Sequence, residues 1–494
     1  MTLPRPLPRT LLAALATTVA SALLAACASP PPSAADVIAR AQQAMGGTAL
    51  KSLRYAGDGE GFTFGQPYQP DGAWPKVAYH AVVRTIDYDA GAMRDEVTLS
   101  RAEPRGGGGY PLAGQQRNDQ YVSGEFAWNV VGGNVAPGSR FVADRVHQLW
   151  ITPHGALKAA QRNNATVTAG SDGVQRLTFT QPGRLRATVT VDAAGLVTAV
   201  DSTYPDPVTG DTAVATRYSD YKDFGGVKFP TRIRQSAGGF PVLDLAVKEV
   251  QANAPVSALV LPDAARNIAE RVASEKVADG VWFLAGGSHN SVLIEMADHL
   301  VLVEAPLGDA RTNAVIAAAK ALVPGKPIRS VINSHAHFDH SGGLRAAVAE
   351  GAVIVTMAAN VPYFERVLNN PNALRPDALA GKPGARARFQ AVQGVRGQIA
   401  DATRTIELHK IDGGPHSDSM LMAYLPKEKL LIQADAYTPS APNAPPPATP
   451  NANNVNLIDN IERLKLGVDR ILPLHGRVVP LSELYTTASR PVPR

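Results

Sequence analysis

Residues 334–343 read Ser-His-Ala-His-Phe-Asp-His-Ser-Gly-Gly, and this stretch decides how the rest of the chain is interpreted. Three histidines and one aspartate within six positions are hard to place in a core, because each buried polar side chain needs a partner. Residues 328–333 are β-branched and apolar and predict a buried strand, at whose end His335 and His337 can point the same way. Imidazole and carboxylate together suit zinc and similar divalent ions. The alternative is a solvated turn that happens to be rich in histidine.

Three further candidate ligands follow predicted strands later in the chain. His416, Asp435 and His475 each come after a run of strand-forming residues, so a rigid sheet can fix their positions. Predicted strands alternate here with predicted helices, the longest of which span residues 309–322 and 454–466. This alternation predicts a layered α/β domain.

The order His-x-His-x-Asp-His, then His, Asp and His, resembles the metallo-β-lactamase fold hydrolase superfamily from about residue 277 to the end of the chain. The resemblance implies an αββα sandwich for residues 270–494 and a binuclear site with two zinc ions per chain, or another divalent metal. In that pattern the first ion would be held by His335, His337 and His416, the second by Asp339, His340 and His475, and Asp435 would bridge them. Asp339 would also be catalytic, by orienting the nucleophile or moving its proton.

The resemblance carries implications for activity. The second motif position is His337 rather than a glutamate, which favours a zinc hydrolase over a di-iron oxygen-reducing enzyme. Such an enzyme would use a metal-activated hydroxide on a small molecule, hydrolysing an ester, lactone, thioester, amide or related bond. One alternative is a β-lactamase acting on β-lactam antibiotics. Another is a lipid- or lipoprotein-binding envelope protein whose metal domain is not catalytic.

Several residues near the motifs are candidates for supporting roles. Glu304 stands where the family usually has an aspartate that supports the site, and its longer side chain puts that support in doubt. Tyr437 could donate to a developing oxyanion, or be a packed loop tyrosine. Ser417 and Asp418 follow His416 directly and could support it. His289 and Asn290 lie on a turn between two early predicted strands and could form the edge of the pocket.

The first half of the chain has a different character. Residues 35–262 alternate apolar and polar positions between Gly- and Asp-containing turns, which predicts a mostly antiparallel β domain. An initial helix followed by this meander is faintly similar to the LolA/LolB-like half-barrel of lipoprotein carriers; an accessory or dimerisation domain is the alternative. His80, His147 and His154 are scattered and predict no catalytic cluster.

The amino-terminal residues predict export. Residues 1–27 combine two arginines, an apolar run and a Leu-Ala-Ala-Cys ending, which resembles a bacterial lipoprotein signal with Cys27 as the lipidation site. Residues 28–34 would be the tether. The resemblance implies a membrane-anchored protein of the bacterial cell envelope, facing the periplasm or the exterior. The alternative is an ordinary secretory peptide.

Composition bounds the remaining possibilities. The 494 residues predict two or three domains, and 45% hydrophobic with 18% charged residues is typical of a globular protein. The formal charge of +5 would fall to +3 without Arg5 and Arg9, which is too weak to indicate nucleic-acid binding. Cys27 is the sole cysteine, so no internal disulfide is expected. The sequence does not indicate the oligomeric state.

Residues 371–398 are rich in charge and proline and predict a flap or helical insert near the site.

Overall fold

The computed structural model describes residue 1 and residues 32–103, 106–109, 114–266 and 270–492. The predicted signal, its lipidation site Cys27 and most of the predicted tether therefore lie outside the described residues. Within the described ranges, no helix combines the length and the apolar character that crossing a membrane requires.

The first element is the predicted helix, α1 (Ala34–Ala44), and its start is fixed by local hydrogen bonds. The Ser33 hydroxyl accepts from the backbone N–H of Asp36, and the Asp36 carboxylate accepts in return from the backbone N–H of Ser33 at 3.1 Å. This capping box satisfies two of the free N–H groups at the helix end. The predicted initial helix is thus confirmed.

A thirteen-stranded antiparallel sheet follows in the described part of the first half. Its strands are β1 (Ser52–Phe62), β2 (Lys76–Asp87), β3 (Ala92–Arg101), β4 (Gln116–Ser123), β5 (Phe126–Val131), β6 (Asn134–Pro137), β7 (Thr166–Ala169), β8 (Gln175–Gln181), β9 (Leu185–Val191), β10 (Val197–Asp206), β11 (Gly210–Asp223), β12 (Lys228–Ala237) and β13 (Phe240–Ala252). The sheet runs from β6 through β1 to β13 and on to β7. The predicted antiparallel domain is confirmed.

Two helices in this domain escaped the sequence analysis, α2 (Val142–Trp150) and α3 (Pro153–Arg162). Thr152 followed by Pro153 was a readable helix start, since proline is favoured at the first helical position. Arg145 of α2 donates to the carbonyls of Tyr121 and Trp128, while His147 bonds Ser202 at 2.9 Å. Those partners lie on the neighbouring strands β4 and β5 and on β10, which is far from both in the strand order, so the sheet curves around α2.

The second half begins after a connection that contains the short helix α4 (Asp263–Arg266). Its first sheet holds β14 (Ala273–Ala278), β15 (Val281–Ala285), β16 (Ser291–Glu295), β17 (Leu300–Val303), β18 (Ile328–Ile332), β19 (Val353–Met357) and β20 (Phe389–Val392). Its second sheet holds β21 (Arg396–Ala400), β22 (Thr405–Lys410), β23 (Leu421–Leu425), β24 (Leu430–Gln433), β25 (Arg470–Pro473) and β26 (Val479–Pro480). The helices are α5 (Asp309–Leu322), α6 (Phe338–Ser341), α7 (Leu344–Glu350), α8 (Val361–Leu368), α9 (Ala452–Leu464) and α10 (Leu481–Thr487).

The two sheets pack face to face between helices, and β17 shows why. Leu300 and Leu302 point to the core shared with α5, α7 and α8, whereas Val301 and Val303 point to the core shared with the second sheet. A strand buried on both faces reads as a continuous apolar run, because alternate side chains enter different cores. The second sheet has α9 and α10 on its outer face. The predicted αββα sandwich is confirmed.

Residues 371–388 do not form the helical insert that was one expectation for this region; they are turns and loops leading into β20. They are tied to α7 by the ion pair between Arg345 and Asp377. They also meet the first half, where the carboxylate of Asp211 accepts from the backbone N–H groups of Ala373 and Leu374.

Candidate metal centre

The predicted ligands converge because strands of the same direction end at the same edge. In the second sheet β22, β24 and β25 run parallel to one another, and His416, Asp435 and His475 follow their carboxyl ends. In the first sheet β15, β17 and β18 also run parallel to one another; β15 and β18 lead to the remaining ligand-type side chains, and β17 leads to Glu304. Because β18 ends at Ile332, His335 and His337 lie on a loop after the strand rather than on alternating strand positions, and His340 lies in α6.

The first cluster consists of His335, His337, His416 and Asp435, whose ligand atoms all lie within 4.8 Å of one another. The Nε2 atoms of His335 and His416 each lie 3.2 Å from Oδ2 of Asp435. Nevertheless four buried atoms form no hydrogen bond to any described residue, namely His335 Nε2, His337 Nδ1, His416 Nε2 and Asp435 Oδ2. Buried polar atoms are rarely left unpaired, so this concentration needs a partner that binds lone pairs.

The outer nitrogens of two of these rings determine what the inner nitrogens can do. The Ser334 hydroxyl donates to Glu304 at 2.6 Å, so it accepts from Nδ1–H of His335, 2.9 Å away. The carbonyl of Pro67 can only accept, so Nε2 of His337, at 2.9 Å, carries the proton. Both inner nitrogens therefore present lone pairs. Burial also lowers the pKa of His335 to about 4 and that of His337 well below its usual value, which keeps them neutral.

The second cluster consists of His289, Asp339, His340 and His475. The carbonyl of Ser288 accepts from Nδ1–H of His475 at 3.0 Å, which leaves its Nε2 facing the cluster, 3.0 Å from Oδ1 of Asp435. Nε2 of His289 lies 3.0 Å from Oδ2 of Asp339. His289 was predicted only as a residue at the edge of the pocket, and the structure places it among the ligand-type side chains.

Asp435 touches both clusters. Its Oδ2 lies 2.8 Å from Nε2 of His340 and also approaches the first cluster, while its Oδ1 faces His475. Burial would raise the pKa of Asp435, but the surrounding imidazoles, His340 first among them, hold it well below its ordinary value. Burial likewise opposes charge on His340, yet Asp435 and Asp339 hold its pKa well above 6.5. Asp435 is therefore held as a carboxylate anion at the point where the two clusters meet.

Glu304 supports both clusters despite replacing a shorter residue. It is buried, and Oε1 accepts from Asn333 Nδ2 at 3.1 Å and from the backbone N–H of Ser334 at 3.2 Å. Its Oε2 lies 3.1 Å from Nδ1 of His340, which turns Nε2 of that ring toward Asp435. The residue adopts a φ of 76°, an uncommon backbone conformation for a non-glycine residue that often marks functional sites. The doubt that its length raised is thus answered by direct contacts.

The first half of the chain reaches the centre through the loop between β1 and β2, residues 63–75, here named the β1–β2 loop. Gln66 Nε2 donates to Oδ1 of Asp339 at 2.7 Å. The carbonyl of Pro67 holds His337, and the carbonyl of Gly65 accepts from the backbone N–H of Phe338 at 3.1 Å. A side chain at Gly65, which has a φ of 74°, would meet the Phe338 ring at 2.3 Å. Sequence analysis missed this loop, since nothing in its residue types indicates metal chemistry.

The remaining predicted residues lie at different distances from the clusters. Asn290 donates from Nδ2 to the carbonyl of Gly476 at 2.8 Å, which fixes the loop that carries His475. Asp418 accepts from Gln69 of the β1–β2 loop at 3.1 Å, and Ser417 caps the backbone of the same turn. Tyr437 is buried in the core under α10, with its hydroxyl 3.3 Å from Thr487 Oγ1. These contacts fit the packed-tyrosine alternative.

Comparisons with known proteins agree with this architecture. Residues 284–473 match the sequence model of the metallo-beta-lactamase superfamily. A curated relative, the (R)-specific secondary-alkylsulfatase of a Pseudomonas species, is 27% identical over an alignment of 189 residues, and the match covers 32% of this chain. The match spans only 27% of that relative's length.

Among solved structures, a metallo-beta-lactamase from Pontibacter korlensis is 17% identical with a TM-score of 0.34, and the match covers 44% of this chain and 98% of the other. A metallo beta lactamase from Hirschia baltica is 22% identical with a TM-score of 0.33, over 45% of this chain and 99% of the other.

Proposed function

We propose that this chain, whose residues 284–473 match the sequence model of the metallo-beta-lactamase superfamily, is a hydrolase that works with two divalent metal ions, for which zinc is the expected metal. The observation that carries the proposal is the set of buried, unpaired ligand atoms. Three imidazole nitrogens and one carboxylate oxygen converge without hydrogen bonds, and a second group of ligand-type side chains adjoins them through Asp435. Structural zinc sites are closed and usually use cysteine, which this site lacks, so the donor set favours catalysis.

The donor set fits two ions. His335, His337 and His416 would hold one, and Asp339, His340 and His475 the other, with Asp435 between them. His289 is a further candidate for the second group. When bound, such ions act as Lewis acids and make water nucleophilic at neutral pH.

The residues of the chain have separable tasks in this proposal. Asp339 is fixed by Gln66 on one oxygen and by His289 on the other, so its carboxylate is oriented to accept a proton from the attacking water. Glu304 orients His340, and the Pro67 carbonyl orients His337. Burial keeps bulk water out and strengthens every charge interaction in the site.

The substrate class is a matter for experiment. The relationship to an alkylsulfatase makes a sulfate ester one candidate, and the fold makes a β-lactam another. We propose to assay the full chain against a secondary alkyl sulfate, a chromogenic cephalosporin, a lactone, a thioester and a phosphodiester, with and without a chelator. Turnover of one class that the chelator abolishes and zinc restores is the expected result. If the chain holds about two metal ions yet hydrolyses none of these five substrates, the result contradicts the catalytic proposal.

We further propose, from the sequence alone, that the chain is exported and anchored to a membrane of the cell envelope through lipid on Cys27. A Cys27→Ser variant should then move from the membrane fraction to the soluble fraction of the envelope. Retention of that variant in membranes would show that something other than Cys27 holds the protein there.

A further inference from the structure

The space between the two halves of the molecule forms a cavity of about 880 Å³. This volume lies within the range of small-molecule sites, about 300–1,000 Å³. The first half contributes residues 136–143 and the turn after β10, and the second half contributes the turn after β15 and the start of α5. Both halves are thus needed to form it.

The cavity adjoins the second cluster. Ser288 lines it, and the hydroxyl of Ser288 lies 2.8 Å from Nδ1 of His289 while its carbonyl holds His475. Leu307 also lines it, and the backbone N–H of Leu307 donates to the carbonyl of Asp339 at 2.8 Å. A molecule in the cavity would therefore contact residues that themselves contact His289, His475 and Asp339.

Arg140 is the feature of the cavity that lacks an explanation. Its side chain is half-buried, and its guanidinium lies 4.4 Å from the centre of the Phe141 ring. Across the described ranges it has neither a hydrogen bond nor an ion pair. Arg311, which also lines the cavity, is by contrast engaged, since its guanidinium donates to three backbone carbonyls. A half-buried guanidinium without an anion in direct contact is costly. Burial lowers the pKa of Arg140, and the charge of Asp339, which forms no ion pair with it, opposes that shift.

The acidic residues of the lining do not supply the missing partner. Asp206 accepts from the backbone N–H groups of Val208 and Thr209, and Asp377 is paired with Arg345. Of the other two acidic lining residues, Glu270 interacts electrostatically with Arg311, and Asp309 accepts from the backbone N–H of Ala378. Residues 136–143, which carry Arg140, include no acidic side chain, and their other contributions are small or apolar.

We infer that the cavity binds an organic anion with an apolar body, whose acid group is held by Arg140. This inference rests on the proposed function and deepens it, because it gives the hydrolase a substrate with an acid group and makes the first half a specificity element. The planar guanidinium can bind a carboxylate, sulfate or phosphate in two-point fashion. Pro137, Phe141 and Leu307 would surround the apolar part.

The test measures binding rather than turnover. Octanoate, octane-1-sulfonate and octylphosphonate are titrated calorimetrically into the full chain, with the neutral octanamide as comparison, in the zinc-loaded and the chelator-treated forms. We expect at least one anion to bind about tenfold or more tightly than octanamide in both forms, since a charge-assisted contact is worth about that factor. The anion that binds most tightly identifies the acid group.

Arg140→Gln should reduce the affinity for the anion to that for octanamide. Arg140→Lys should retain part of it, because the charge remains but the two-point geometry is lost. The matched control is Arg186→Gln on β9, an exposed arginine of the same half outside the cavity, which should bind like the parent chain. Metal content and circular dichroism establish that each variant is folded. If Arg140→Gln does not fold, the test is made with Arg140→Lys, whose affinity for the anion should lie below that of the parent chain.

Two results would overturn the inference. One is octanamide binding as tightly as every anion. The other is anion binding that survives Arg140→Gln, including binding confined to the zinc-loaded form, which would place the anion on the metals. The proposed function fails by a different readout, the absence of chelator-sensitive turnover, and Arg140-dependent binding in the chelated chain would persist in that case.

Discussion

The candidate centre is built from two regions that differ in how they can be recognised. The second half supplies every ligand-type side chain, and chemistry restricts those to a few residue types at strand ends. The β1–β2 loop of the first half supplies supports, and its closest contacts are an amide side chain on Asp339 and a backbone carbonyl on His337. The ligands therefore have a sequence pattern, whereas their supports have none.

Because it supplies these supports, the first half contributes directly to the centre. Each ligand ring needs its second nitrogen fixed, and for His337 the group that fixes it lies 270 residues away in sequence. A catalytic domain expressed without residues 63–75 would lack the partner of His337 and one partner of Asp339. The first half is accordingly part of the centre, and the following predictions test how much each region contributes.

The largest effect is expected at Asp435, the residue that contacts both clusters. Asp435→Asn keeps the shape but removes the charge that two cations would share. Because loss of one metal's electrostatic stabilisation is worth several kcal/mol, turnover should fall at least about 10³-fold. Metal content, measured by mass spectrometry, should drop below that of the parent chain.

Asp469→Asn is the matched control for this change, since Asp469 is an exposed aspartate next to β25 whose Oδ1 lies 3.7 Å from Nζ of Lys429. It should leave turnover and metal content as they were. An Asp435→Asn chain with full metal content and normal turnover would contradict the bridging role.

Glu304 should rank next. Glu304→Gln removes the charge that orients His340 and weakens the acceptor for Ser334, so metal affinity and turnover should each fall about 10- to 100-fold. Competition with a chromophoric chelator measures the affinity. Glu295→Gln, at the end of β16 and paired with Lys326 on the surface, is the control and should change neither quantity appreciably. Equal losses in the two variants would mean that Glu304 acts through stability alone.

Much of the second half could be predicted, because burial on both faces produces apolar runs such as residues 300–303 and ligand chemistry is confined to few residue types. The positions of Asp435 and His475 followed from strands that end at one edge. The β1–β2 loop could not be predicted, since the contact of Pro67 depends on a carbonyl that every residue has. His289 was placed near the pocket but not among the ligands, because a single histidine on a turn carries no spacing signal.

Two glutamines of the β1–β2 loop, Gln66 and Gln69, can be compared with each other. Gln66→Ala removes the donor to the buried Asp339, so turnover should fall about tenfold, at the lower end of the effects of losing a ligand's support. Gln69→Ala removes a donor to Asp418, an exposed contact, and should cost less than about twofold. The two variants are compared by kcat and KM in one assay. Similar values for both would show that the loop only packs against the second half.

The smallest effect is expected at Tyr437, and its size tests whether this residue belongs to the centre at all. Tyr437→Phe deletes a hydroxyl that faces Thr487 under α10 rather than the clusters, so it removes about one hydrogen bond from the fold. The melting temperature should fall slightly, since such a bond is worth about 1 kcal/mol, while kcat stays within about twofold. A fall in kcat of tenfold or more at unchanged metal content would instead make Tyr437 a donor to the reacting group, and the boundary of the centre would then include the loop after β24.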